Sequence, residues 1–390
     1  MRILMLCFGH LRPRPAAPQI GGASRQCLKL SGALVHQDVD VTILTKRMFW
    51  GDPARETIEG VPVVFLNTWR PVFNRRGLSR LGVYVSMLCA LSYLVRHREE
   101  YDIIHAHCAL DPGFVGVLAG KWLHKKSIIK VMNSGFRNDV MRFRQEKTIV
   151  GSRWMADYLV NCDRVITLNE LAYEQLIALG FRADQIELIP NGVEVAEIAA
   201  KASYDGVDVA RVIFVGRLDK AKGLDVLLRA FKALSKEPAT RCQLTLLGKG
   251  PQEQQLREMV ERLGISDRAH FAGEVSDVPA YLARSDIFCL PSRAEGISNA
   301  LLEAMASGLP CITTDIAGNN AVIQHERNGI LVAPDDEVAL AEGIRRLANH
   351  SDLRERLGRA ARRTVRDHFD ITHVAKQYIG LYEKLLGAPN

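Results

Sequence analysis

The 390-residue sequence contains no run near the ~20 apolar residues that a membrane-spanning helix needs; residues 81–95, fifteen without a charge, come nearest. Its eight cysteines form no C-x-x-C pair and no metal-ligand spacing, which excludes a zinc-held or thioredoxin-like unit. Several sit inside apolar runs, such as Cys289 in Ile287-Phe288-Cys289-Leu290, and read as reduced core residues of a cytoplasmic protein. No Gly-x-Gly-x-x-Gly follows the first apolar run, which argues against a nicotinamide oxidoreductase, and no Walker loop or Gly-x-Ser-x-Gly elbow is present. No repeat of 20–50 residues and no low-complexity stretch points to a solenoid or a linker. No His, Cys and carboxylate cluster suggests a metal. Asp38-Val39-Asp40 has a short pattern suited to a divalent cation but precedes an apolar run, and reads as a polar strand entry.

What is present is ordinary globular composition: 47% hydrophobic and 24% charged residues exclude a disordered chain and a coiled coil. The length suggests two domains. The net charge of +7 is unevenly placed. Residues 1–190 hold 25 Lys and Arg against 17 Asp and Glu, whereas residues 191–390 hold 26 against 27. The basic surplus therefore lies wholly in the first half, where it is either a solubilising excess or a surface for anionic partners.

Short β-branched runs alternate with longer helical patterns. Strands are expected at 3–8, 41–44, 63–66, 103–106, 128–131 and 164–168, and a second series at 212–215, 243–247, 270–271, 287–290, 311–313 and 330–332. Such alternation indicates parallel sheets covered by helices on both faces. Turn residues at Pro190-Asn191-Gly192 and Asp205-Gly206 separate the two series. The expected fold is α/β, with two Rossmann-like doubly wound domains facing across a cleft. The first spans 1–190 and the second 191–370. In open α/β sheets ligands lie beyond the carboxyl ends of the strands, so the chemistry is sought in the loops that follow them.

Two loops stand out in the second half. After 287–290 comes Pro291-Ser292-Arg293-Ala294-Glu295-Gly296-Ile297-Ser298, then a helical pattern from Asn299 to Ala306 with Ser298 as its N-cap. That helix end is a ready anion site. Side chains lean toward a helix's N-terminus, so Glu303 and Glu295 can bracket one ligand through its hydroxyls while amides meet its phosphates. Taken as spacing alone, the same pair is more often a solvated surface feature. After 212–215 comes Gly216-Arg217-Leu218-Asp219-Lys220-Ala221-Lys222-Gly223, in which Arg217 and Lys222 suit a diphosphate, or are surface cations. In the first half, His105 and His107 share one face of a strand; His107, at its carboxyl end, is the candidate for a site and His105 for a supporting role.

Together these segments resemble the retaining glycosyltransferases of family 4, which have the two-domain GT-B fold. The likeness is strongest in Glu295–Pro310, which is similar to the family's E-x7-E segment and its A-M-A-x-G-x-P run. Gly216-Arg217-Leu218, Lys222-Gly223, Ile189–Val193, Leu247–Pro251, His105-Ala106-His107 and Gly21-Gly22 add to it. The resemblance implies that Glu303 holds the ribose of a nucleotide sugar, that Arg217 and Lys222 neutralise its diphosphate, and that Glu295 contacts the transferred sugar. The amides of Gly296, Ile297, Ser298 and Asn299 would bind sugar and phosphate. His107 would line the reaction centre, and Gly22 would approach the diphosphate. It also implies that no metal and no cofactor is needed beyond the nucleotide sugar itself, and that the last helix, 371–387, packs back on the first domain. Val131-Met132-Asn133-Ser134-Gly135 departs from the Thr-His-Gly type segment common in relatives, so the resemblance carries over the donor site and not the acceptor contacts.

The acceptor is expected to be a glycan or a lipid-linked saccharide, with no nucleic-acid partner. Arg70, Arg75, Arg76 and Arg80 precede the run 81–95, Arg96 and Arg98 follow it, and Arg137, Arg142, Arg144 and Lys147 add charge. This pattern reads either as a peripheral contact with an anionic membrane or as a buried helix with basic ends. Two rival functions remain at this level: a nucleotide-sugar epimerase on a similar fold and a non-catalytic nucleotide-sugar-binding regulator.

Overall fold

A computed structural model describes residues 1–11, 20–47, 51–68, 79–147, 149–205, 208–237 and 239–387, with backbone alone at 79 and 80. The chain divides into two units, one built on Ile20–Gly192 with the N-terminal strand and the segment from Ile371, the other on Val193–Asp370.

The first unit carries β1 (Arg2–Leu6), β2 (Asp40–Lys46), β3 (Arg55–Ile58), β4 (Val61–Leu66), β5 (Ile103–Ala106), β6 (Lys126–Lys130), β7 (Arg164–Thr167) and β8 (Ile186–Leu188). Their order in the sheet is β3-β4-β2-β1-β5-β6-β7-β8. Every pairing is parallel except β3 with β4, which form an antiparallel edge hairpin. Strands β3 and β8 were not expected from sequence. The first is a polar edge strand, Arg-Glu-Thr-Ile, that needs only one neighbour. The second is three residues long and lies at the other edge. Edge strands need little apolar surface, so periodicity passes over them.

Central strands read as continuous apolar runs because both faces of a parallel sheet are covered. Leu4, Leu6, Ile104 and Ala106 belong to one core cluster, and Ile3, Met5, Ile103 and Ile128 to the other. Helix Ile371–Leu386 lies on this second face, where Val374, Tyr378, Leu381 and Tyr382 join the core. The amino ends of β1 and β5 are clipped together: Arg2 meets Asp102 at 2.6 Å, and its backbone N–H donates to the same carboxylate at 2.9 Å.

The second unit carries β9 (Ala210–Val215), β10 (Cys242–Leu247), β11 (Ala269–Gly273), β12 (Ile287–Leu290), β13 (Cys311–Thr314) and β14 (Ile330–Val332), in the order β11-β10-β9-β12-β13-β14, all parallel. The clip recurs here. Arg211 bonds Asp286 through Nε at 2.9 Å, through its terminal guanidinium nitrogen at 3.1 Å and through its backbone N–H at 3.0 Å, and Lys201 adds a contact at 3.0 Å. Helix Leu224–Leu234 follows β9 and buries Val226, Leu227, Leu228, Ala230 and Phe231.

Each sheet has one point where the strand order reverses direction. In the first it lies between β1 and β5, and in the second between β9 and β12. Such a switch point leaves a crevice between two helices that run to opposite faces, and open sheets place ligands there.

Candidate active site

In the second unit, the two loops flanking the switch point are those singled out from sequence. The loop after β9 holds Arg217 and Lys222, and the loop after β12 holds Glu295. They are bonded to each other. Lys222 Nζ donates to Glu295 Oε1 at 2.5 Å, and Ser292 Oγ donates to the same oxygen at 2.7 Å. Arg293 N–H donates to the Ala221 carbonyl, and the Arg293 guanidinium to the Lys220 carbonyl, both at 2.7 Å. Gly223 is required at the seam. Its φ is +63°, and a Cβ there would stand 2.0 Å from the Pro291 carbonyl oxygen.

The two cations differ in setting. Lys222 is mostly buried against Glu295, with 15% of its side chain exposed. Arg217 is 71% exposed, and its Nε lies 3.8 Å from Asp219. The sequence reading assigned both to one diphosphate. The structure adds that Lys222 also holds the carboxylate expected to contact the sugar. Arg293 was missed from sequence. It spans Asp225 at 2.9 Å and Asp335 at 2.7 Å, which raises its own pKa, and it locks the two loops together instead of offering a charge to a ligand. A lone Arg in a loop carries no spacing signal that could have marked this role.

Helix Asn299–Ala306 begins as expected. The Leu301 N–H donates to Ser298 Oγ at 3.4 Å, and the Leu302 N–H to the Ser298 carbonyl at 3.1 Å. Gly296, Ile297 and Ser298 are buried at its positive pole, with Asn299 half-buried. Glu303 lies half-buried in the second turn. Among the described residues no group of three His, Cys, Asp or Glu side chains gathers in a metal-ligand arrangement.

In the first unit, Gly22 opens helix Gly22–Val35 and is exposed, after β1 and on one side of the other switch point. His107 follows β5 on the opposite side. It is 1% exposed, its ring lies 6.0 Å from that of His105, and neither ring nitrogen has a hydrogen-bond partner among the described residues. Burial holds its pKa well below the ordinary value, with nearby Lys130 and His105 adding to the effect, so the ring is neutral. His105 is fixed by the Tyr382 hydroxyl at 2.8 Å. Arg70, Arg75 and Arg76 lie outside the described residues, as does the Arg80 side chain. Of the other basic residues of that set, Arg96, Arg98, Arg142, Arg144 and Lys147 are exposed and Arg137 is half-buried; Arg153, outside the set, is also exposed, as are Val150 (83%) and Trp154 (59%).

Comparison with known proteins covers both units. The model for glycosyltransferase family 4 matches residues 20–197, and that for glycosyl transferases group 1 matches 201–364. A lipopolysaccharide core biosynthesis glycosyltransferase of Rhizobium meliloti is 30% identical over 230 residues, 58% of this chain and 65% of that one. An N-acetyl-alpha-D-glucosaminyl L-malate synthase of Bacillus anthracis is 27% identical over 95% of each chain. Among solved structures, a sucrose-phosphate synthase from Thermosynechococcus elongatus superposes with a TM-score of 0.83 at 22% identity over the whole of both chains. An Anabaena protein solved with UDP-glucose gives 0.75 at 21%, covering 98% of this chain and all of that one. At these identities the structural likeness establishes the GT-B fold.

Proposed function

Because the chain belongs to the glycosyltransferases of group 1 and family 4, we propose that it moves a hexosyl unit from a nucleotide-diphosphate sugar to a glycan or lipid-linked acceptor, with retention and without a metal, in the building of a bacterial cell-surface polysaccharide. The observation that supports this reading is the bonded pair of loops at the β9/β12 switch point: Lys222 of the loop that also carries Arg217 is bonded to Glu295 of the loop that leads into helix Asn299–Ala306. Breaking a sugar–phosphate bond builds positive charge at the anomeric carbon and negative charge on the departing diphosphate. Two cations and a helix's positive pole meet the second charge. A carboxylate at Glu295 meets the first and fixes the sugar hydroxyls. Glu303 is assigned to the ribose, while Gly22 and the neutral ring of His107 are assigned to the diphosphate and the reaction centre.

The lipopolysaccharide relative supports a cell-surface product, and the Anabaena neighbour supports a nucleotide-sugar donor. The exposed Val150 and Trp154, with exposed Arg142, Lys147 and Arg153 in the same stretch of sequence, support peripheral contact with an anionic membrane on its cytoplasmic side.

A thermal-shift panel of UDP, GDP, ADP and dTDP, each also as its glucose or mannose conjugate, tests the donor site. A bound member at 100 times its Kd stabilises the fold by about 2.7 kcal/mol. Silence across the whole panel refutes the reading. Product NMR then assigns the anomeric configuration, and an inverted product removes the retaining claim alone.

A further inference from the structure

The geometry points to Ser292, Thr314 and Asn319 as positioning residues that aim the Glu295 carboxylate, a role that rests on the donor-site reading above. Behind Glu295 runs a chain of buried hydrogen bonds. Asn319 Nδ2 donates to the Thr314 carbonyl at 2.9 Å and to its hydroxyl at 3.2 Å. Thr314 Oγ1 donates to the Ser292 carbonyl at 2.5 Å, and Ser292 Oγ donates to Glu295 Oε1 at 2.7 Å. Asn319 and Ser292 are wholly inaccessible and Thr314 is 2% exposed, so water does not compete for these bonds.

A second, independent contact braces the same loop. A Cβ on Gly318 would fall 1.7 Å from the Gly296 carbonyl oxygen and 2.7 Å from that of Glu295. Backbone thus packs on backbone with no room for a side chain. The short helix Ala317–Asn320, entered from β13, is the back wall of the loop that carries Glu295.

This wall has a specific task. Glu295 Oε1 receives both Lys222 Nζ and Ser292 Oγ. Lys222 is mobile in principle, a cation on a flexible stem that a diphosphate will attract. When a nucleotide sugar draws the ammonium toward its phosphates, the Ser292 hydroxyl still holds the carboxylate against the sugar. Thr314 and Asn319 keep Ser292 in place in turn. None of the three touches the reacting atoms.

The test uses the full chain and the same nucleotide panel. Kd is measured for each nucleoside diphosphate and its sugar conjugate. Donor cleavage without acceptor, read as release of free sugar, gives kcat and KM. Ser292→Ala is expected to lower kcat by about 10- to 100-fold, the span of one hydrogen bond to a charged group. The Kd for the bare diphosphate stays near that of the wild type, because Arg217 and Lys222 are untouched. Thr314→Val lowers kcat in the same direction, and Thr314→Ser, which keeps the hydroxyl, restores it. Melting temperatures confirm that each variant is folded; should Thr314→Val not fold, Ser292→Ala alone decides. Wild-type kcat in Ser292→Ala overturns the proposal, as does a diphosphate Kd that weakens in step with kcat, which marks general collapse of the pocket. If the wild type binds no nucleotide of the panel, the donor-site reading falls and this role falls with it.

Discussion

Lys130 gives the sharpest physical test of the first unit. It is wholly inaccessible on the sheet face beneath helix Ile371–Leu386, and its ammonium has no hydrogen-bond partner among the described residues. The groups facing it are the Tyr378 ring, 5.5 Å from Nζ, with Cys27 on helix Gly22–Val35 and His105 and His107 on and after β5. None of these is a carboxylate. Burial therefore pushes the lysine down from its ordinary 10.5 to about 7. In the unfolded chain it holds its proton up to about 10.5. Between those two values the unfolded state binds one more proton than the native state, so stability rises with pH through this window by about 1.4 kcal/mol per pH unit. Below about 7 both states are protonated, the slope vanishes and the full penalty applies, up to about 5 kcal/mol. Lys130→Met keeps an unbranched chain of similar volume and removes the charge. The variant should exceed the wild type in urea-unfolding free energy by several kcal/mol at pH 6.5, and the advantage should shrink steadily toward pH 9.5. Titrating groups remote from Lys130 are common to both proteins and cancel in the difference, and His105 and His107, which Lys130 helps to hold neutral, carry no proton charge to lose across this window. A difference that stays constant from pH 6.5 to 9.5 refutes the reasoning.

Other perturbations act on the second unit. Arg217→Ala and Lys222→Ala should each lower kcat by about 10²–10³, the loss for removing one donor aimed at developing charge; turnover near wild type in either variant, measured with the donor identified by thermal shift, contradicts their assignment. Ser298→Ala removes the hydroxyl that takes the Leu301 N–H and should cost about 1 kcal/mol in chemical denaturation, with weaker nucleotide binding if the helix end meets phosphate. Gly223→Ala places a Cβ against the Pro291 carbonyl at a positive φ, so it should lower both the melting temperature and nucleotide affinity by parting the loop after β9 from the loop after β12.

The sheet pattern and the two loops at the β9/β12 switch point were legible in the sequence for the same reason. Strands buried on both faces are written as continuous apolar runs, and parallel topology confines ligand contacts to the residues that follow them. Gly216-Arg217 after Phe214-Val215, and Glu295 after Ile287–Leu290, needed no more than that rule. Helix Asn299–Ala306 was legible from its Ser298 cap. The edge strands β3 and β8 were not, because a polar four-residue hairpin arm and a three-residue edge bury too little to leave a pattern.

The residues that hold the site in shape were illegible on different grounds. Ser292, Thr314 and Asn319 are separated by 22 and 5 positions and meet only because β12 and β13 are neighbours with Leu290 beside Thr313. In sequence Thr314 is one more β-branched residue ending a strand, and Ser292 is one more loop hydroxyl. Arg293 is one more loop cation in the sequence, and its role emerges only when Asp225 and Asp335 claim it from both sides. The charge that reaches a ligand and the charge that is spent on the fold have the same spelling. What separates them is the partner, and only the folded chain supplies it: Arg217 keeps 71% of its side chain exposed, with Asp219 at 3.8 Å, whereas Arg293 is bound at both ends of its guanidinium. A basic residue in a strand-end loop is therefore informative about ligand binding only after the acids within its reach have been counted.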